Sequence, residues 1–271
     1  EGVLAAPPET DALLTEPVRR PTQQRAARTE QLQARQASSM AAEVKKEFWL
    51  PLESNPEVLN GFRDKLSASN AFAFHDVYGF DPDLLAMVPQ PCLAVLLLFP
   101  YAEMAAAKAA QLERLRSEGY APDAGIFFMR QYVGNACGTI ACVHALAANS
   151  DFTVSAGSEL EAWIGANKPL SAEDRGTNLA LAKFVSAATS ESAQEGQTAA
   201  PDVGDDVNHH FVAFVAHNNC VYELDGTKPY PINHGPLSSD LLSDAIEVIK
   251  REFVAHVPDG QFNIMALASV E

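Results

Sequence analysis

No stretch of this chain stays apolar long enough to cross a bilayer. The longest strong apolar run, Cys92 to Pro100, has the length of a strand, well short of the about 18 residues a membrane helix needs. No membrane span is therefore expected, and no membrane partner. Cysteine is scarce as well. Cys92, Cys137, Cys142 and Cys220 fall at irregular spacings that fit neither a disulfide framework nor a zinc site. A reducing, cytoplasmic setting is expected, with no metal or organic cofactor. Positive charge is also short: 19 Lys and Arg stand against 35 Asp and Glu, for a formal net charge of −16. Residues 1–40 carry five of each sign, so the acidic excess lies entirely in the remainder. Such a surface repels nucleic acid and favours either plain solubility or a basic partner.

What is present centres on Gln131-Tyr-Val-Gly-Asn-Ala-Cys137-Gly-Thr-Ile140. The apolar run that begins at Cys137 and continues through Leu146 reads as a helix, with Asn135 as its N-cap and Cys137 in its first turn. A thiol there feels the positive helix end, which favours the nucleophilic thiolate. Gly138 leaves room for a substrate or another backbone, and the Gln131 amide is a candidate donor to a developing oxyanion. A free cysteine is more often a small buried hydrophobe, and Cys92, Cys142 and Cys220 read that way. Cys137 stands apart by its helix-start position and nearby amide.

A base follows later in the chain. His209–Ala216 and Cys220–Asp225 are rich in β-branched and aromatic residues and are separated by His217-Asn-Asn219. They read as an antiparallel hairpin, since asparagine tolerates the left-handed turn. If their side chains share a side of the sheet, His210 faces Asp225. A carboxylate-held imidazole is the base that takes a proton from a thiol.

These residues, together with Trp49-Leu-Pro-Leu-Glu53, Asn55-Pro-Glu-Val58, Asp76-Val-Tyr-Gly79, Glu195-Gly-Gln-Thr198 and Tyr222-Glu-Leu-Asp-Gly226 through Pro231-Ile-Asn-His-Gly235, resemble the ubiquitin carboxyl-terminal hydrolases. These are short single-domain deubiquitinating thiol proteases. The resemblance runs from about residue 48 to the C-terminus. It implies a papain-like α/β (α+β) fold with a mostly antiparallel sheet flanked by helices and a knotted backbone. It also implies Cys137 as nucleophile, His210 as general acid and base, Asp225 as its orienting residue and Gln131 as oxyanion donor. The partner implied is ubiquitin, or a ubiquitin-like modifier of the Nedd type, bound by a monomer. Its basic face would dock against Glu53, Glu57 and Asp76, with apolar contacts from Pro51 and Val207. His209 stands where an apolar ubiquitin contact is expected. Two other readings stay open: a catalytically silent ubiquitin-binding module, and a thiol redox sensor built on Cys137 and Cys142.

Residues 1–42 read as a disordered or weakly helical extension, because only Leu32 among residues 22–37 is large and apolar. The chain opens on Glu1 and is read as a processed form or fragment. Residues 43–271 form the expected catalytic domain. Helices are expected over 56–67, 101–117, 138–148, 158–166, 171–187 and 240–256, and strands over 72–78, 93–99 and 262–268. Residues 190–207 lack an apolar pattern and read as a long loop. By the resemblance it is the active-site crossover loop.

Overall fold

A computed structural model gives the architecture, describing residues 47–198 and 207–270. The expected N-terminal extension lies outside the described residues, as do residues 199–206 of the expected crossover loop. The strands are β1 (Phe72–Asp76), β2 (Cys92–Pro100), β3 (His209–His217), β4 (Cys220–Leu224), β5 (Ile232–Pro236) and β6 (Asn263–Ser269). They form one sheet in the order β1-β6-β2-β3-β4-β5, with antiparallel pairing throughout. The helices are α1 (Pro56–Lys65), α2 (Pro82–Leu85), α3 (Ala105–Ser117), α4 (Cys137–Ala148), α5 (Ser150–Thr153), α6 (Glu159–Asn167), α7 (Ala172–Leu181), α8 (Lys183–Ala193) and α9 (Leu241–Ile249).

The unbroken apolar run of β2 follows from its place near the middle of this sheet, covered on both faces. Ala94 and Leu96 enter the core that also holds α4 residues, while Val95, Leu97 and Phe99 enter the core formed with α9. The period-two alternation of a strand makes that division. Continuous apolar strands are the usual mark of parallel sheets; here two helical layers impose the pattern on an antiparallel one. Helix α4 is buried along nearly its whole length, from Cys137 to Ala147, and apart from Thr139 and His144 its buried residues are small or apolar.

Local signals decide most element ends. Asn55 caps α1 by accepting from the Glu57 N–H at 2.8 Å, with Pro56 at the first helical position. Ser171 caps α7: its Oγ accepts from the Asp174 N–H at 3.0 Å and donates to the Asp174 carboxylate at 2.8 Å. The β3–β4 hairpin turns on Asn218 and Asn219, both left-handed with φ of 47° and 58°, as a two-residue turn matching the strand twist requires.

Several expectations are corrected. Asn135 does not cap α4: Ala136 holds that position without a side-chain cap, and Asn135 sits at φ 58° in the turn before it. The helix expected over 171–187 breaks at Ala182, whose ψ of 94° is extended, and a second helix continues to Ala193. The loop therefore starts after 193, because the small residues Ala188, Thr189, Ser192 and Ala193 are buried despite their weak apolar pattern. Helix α9 ends at Ile249 and widens into a π turn, Lys250–Val254. Strand β5 was not expected, since Ile-Asn-His-Gly-Pro carries both strand breakers; it forms at the sheet edge, where a proline is tolerated.

Candidate active site

The site gathers on three elements. Cys137 is the first residue of α4, His210 lies near the start of β3, and Asp225 immediately follows β4. Sheet register brings the last two together. Phe99 pairs across β2–β3 with His210, and Ala213 pairs across β3–β4 with Leu224. The hairpin thus sets Asp225 beside His210, and His210 Nε2 meets Asp225 Oδ1 at 2.8 Å. With Nε2 engaged, Nδ1 is the ring nitrogen left for Cys137, whose sulfur hydrogen-bonds the imidazole. Phe99 at 5.6 Å, edge-on, and Tyr101 at 4.8 Å flank the ring, limiting its rotation.

Electrostatics match this arrangement. Burial pushes the Cys137 thiol up, but the hydrogen bond and charge of His210, then the N–H groups of Phe211 and Gly138, outweigh it and hold the thiol below its ordinary range. Burial alone would depress His210; the charge and hydrogen bond of Asp225, followed by Cys137, raise it instead. Asp225 would be raised by burial, yet His210, Lys108 and Lys228 hold it far below the usual carboxylate range. The other thiols behave oppositely. Burial drives Cys92 up to about 12 and pushes Cys142 upward as well. Cys137 and Cys142 are both free thiols, which leaves the redox-sensor reading without a bond to support it. His144 is also buried, stacked on Phe128 and accepting the Met129 N–H at 3.0 Å; burial takes it down to about 3, so it stays neutral.

Gln131 is tied to the same corner: its N–H donates to Gly226 O at 2.8 Å, next to Asp225. Its side-chain Nε2 donates to Val133 O at 3.1 Å, which uses one of two amide hydrogens. The space at Gly138 is taken by the protein itself, because a Cβ there would lie 3.2 Å from both Leu52 and the Phe211 ring. Gly138 is itself among the residues that line the cleft beside Cys137. Just upstream, Trp49 N–H donates to Gly134 O at 3.0 Å, and Gly134 N–H donates to Glu47 O at 2.9 Å. A Cβ on Gly134 would lie 2.3 Å from the partly exposed Phe48 ring, so that ring would have to shift to admit any larger residue.

A cleft of about 200 Å³ opens beside Cys137 and is lined in part by Pro51, Glu53, Val207 and His209. Three of the five expected ubiquitin contacts therefore border the nucleophile. Glu53 also accepts from the N–H and hydroxyl of Thr198, at 3.1 and 3.0 Å. Burial works against its charge, but those bonds win and lower its pKa. Glu57 and Asp76 lie elsewhere. Glu57 is exposed on α1, and Asp76 borders a separate groove with Tyr78 and Ile264, where burial raises its carboxyl. Sequence reasoning missed Lys108, Tyr101 and Thr227, which surround Asp225. The one signal was Lys108 itself, a lone charge in the run Ala105-Ala-Ala-Lys-Ala-Ala110. Among the described residues no His, Cys, Asp and Glu group is arranged to hold a metal, and no helix is long and apolar enough to cross a membrane.

A lowered thiol at a helix start, against an imidazole held by a buried carboxylate, defines a cysteine-type hydrolase. Comparison with known proteins supplies the family. The model of ubiquitin carboxyl-terminal hydrolase, family 1, matches residues 49–254. A ubiquitin carboxyl-terminal hydrolase of Aplysia californica is 43% identical over 213 residues, covering 78% of this chain and 97% of its own. Isozyme L1 of Rattus norvegicus is 39% identical over 221 residues, covering 80% of this chain and 96% of its own. The crystal structure of the Trichinella spiralis UCH37 catalytic domain bound to ubiquitin vinyl methyl ester shares the fold, with a TM-score of 0.65 at 21% identity over 86% of this chain and all of that one. The chain belongs to the ubiquitin carboxyl-terminal hydrolase family and is a cysteine-type ubiquitin hydrolase.

Proposed function

We propose that this chain, working as a monomer in the cytoplasm, hydrolyses bonds to the C-terminal glycine of ubiquitin and releases small adducts or peptides. The observation that carries the reading is the 2.8 Å contact between His210 Nε2 and Asp225 Oδ1, with the same imidazole lowering the Cys137 thiol. Cys137 thiolate attacks the glycine carbonyl. The second amide hydrogen of Gln131 and the Cys137 N–H, which has no intrahelical acceptor, receive the oxyanion. His210 gives its proton to the leaving amine as the carbon–nitrogen bond breaks, leaving a thioester. His210 then takes a proton from water, whose oxygen attacks the thioester. Free ubiquitin carboxylate departs and the thiolate–imidazolium pair is restored. Pro51, Glu53 and Val207 border the path of the ubiquitin tail, and Glu57 and Asp76 offer acidic contacts further out. Residues 43–271 form the catalytic domain, and Thr198, in the expected crossover loop 190–207, meets Glu53 at the cleft.

The test is turnover of a fluorogenic C-terminal amide of ubiquitin, with the Nedd-type amide in parallel, followed by a ubiquitin-based electrophilic probe and mass mapping of the labelled thiol. Labelling confined to Cys137, and turnover abolished in Cys137→Ser, are expected. Tight ubiquitin binding without turnover would replace this reading with a silent binding module.

A further inference from the structure

The carboxylate that holds the imidazole is itself held. Asp225 Oδ1 takes three donors: His210 Nε2 at 2.8 Å, Thr227 N–H at 2.8 Å and Thr227 hydroxyl at 2.6 Å. Oδ2 takes its hydrogen bond from a different element, Lys108 Nζ on α3 at 3.2 Å, 117 residues away in sequence. The same ammonium donates to the Thr227 hydroxyl and, at 3.2 Å, to the Tyr101 hydroxyl, and it lies 5.0 Å from the Tyr101 ring centroid. Tyr101 is one of the two rings flanking His210. One lysine therefore joins the far oxygen of the carboxylate to the wall of the imidazole.

Two consequences follow from elementary chemistry. A carboxylate rotates easily about its terminal bond. Donors on Oδ1 alone leave its plane free, whereas donors on both oxygens fix it. The second concerns charge. Asp225 is 1% exposed, and a buried carboxylate without a countercharge is costly. His210 serves as that countercharge only while protonated. After it gives its proton to the leaving amine, and until water returns one, the imidazole is neutral. Lys108 keeps its charge through both half-reactions, so the carboxylate stays compensated at the point where His210 cannot help.

We propose that Lys108 is a positioning residue for the hydrolysis: it fixes Oδ2 of Asp225 and supplies the countercharge bonded directly to that carboxylate while His210 is neutral, the nearby Lys228 being paired with Glu223. This rests on the roles proposed above for Cys137, His210 and Asp225. The test compares Lys108→Met with Lys108→Arg in the full chain on the fluorogenic ubiquitin amide. Lys108→Met lowers kcat on the order of tenfold, as loss of about one charged hydrogen bond to the carboxylate would, while KM stays within about twofold because Lys108 touches none of the expected ubiquitin contacts. Lys108→Arg restores most of kcat. A residue that merely supported α3 would not be rescued by charge, nor would it separate kcat from KM. Wild-type kcat in Lys108→Met overturns the proposal, as does failure of Lys108→Arg to recover. If Lys108→Met does not fold, Lys108→Ala carries the same expectation. If the wild-type chain leaves the amide intact, the proposed reaction is at fault rather than the positioning. Positioning is then read from iodoacetamide alkylation of Cys137 at neutral pH, which Lys108→Met slows and Lys108→Arg does not; equal rates in all three overturn it.

Discussion

Asp225→Asn keeps the shape of the side chain and removes its charge. Its Oδ1 now accepts from His210 and twice from Thr227, while Oδ2 accepts from Lys108. An asparagine cannot serve both sides. With its oxygen toward His210, its NH2 faces the Lys108 ammonium, donor against donor. Turned over, the NH2 faces Nε2 and forces the ring proton onto Nδ1, the side of Cys137. Removing one member of a buried pair costs roughly 3–5 kcal/mol. If most of that falls on the imidazolium, kcat drops by roughly 100- to 5,000-fold and the His210 pKa falls. The sign is set by the structure: Asp225 raises His210, so its loss moves the alkaline limb of kcat/KM to lower pH. The same pair contributes stability. The raised histidine contributes fully below about 6.5, and the depressed carboxylate fully above about 4. The wild-type advantage in urea midpoint is therefore largest between about pH 4 and 6.5, fading as pH rises through the folded histidine value or falls through the folded carboxylate value. The assays are a pH series of kcat/KM on the ubiquitin amide and a matching series of urea midpoints. An alkaline limb that stays in place, with kcat within tenfold of wild type, would refute the reasoning.

Gln131→Ala removes one of the oxyanion donors proposed above, an effect of about 2.7–4 kcal/mol on the barrier, so kcat falls by roughly two to three orders of magnitude while ubiquitin affinity, measured by calorimetry, stays near wild type. Equal losses in both would deny Gln131 that role. Gly134→Ala places a methyl 2.3 Å from the Phe48 ring and destabilises by about 1–3 kcal/mol, the usual range for overpacking. The urea midpoint reports it, and adding Phe48→Ala recovers part of the loss; no recovery would mean the clash is elsewhere.

The sequence alone determined what is written in neighbouring residues. The helix from Cys137, the asparagine turn at 218–219, the Asn55-Pro56 start and the apolar run of β2 are all short-range, because turn sterics, caps and side-chain period act over one or two turns of chain. Residue type, order and family resemblance single out Cys137, His210 and Asp225, and the structure brings His210 Nε2 to 2.8 Å from Asp225 Oδ1. Where local cues misled, packing overrode them: buried small residues extend α8 past the expected loop start, and the sheet edge accepts Ile232–Pro236 as a strand. What only the tertiary structure decided is convergence. Lys108 reaches Asp225 across 117 residues, and the Gln131 N–H reaches Gly226 from the far side of α4. Those meetings depend on sheet register and on how helices seat against its two faces, geometry that arises from the whole core at once and leaves no imprint on the spacing of residues along the chain.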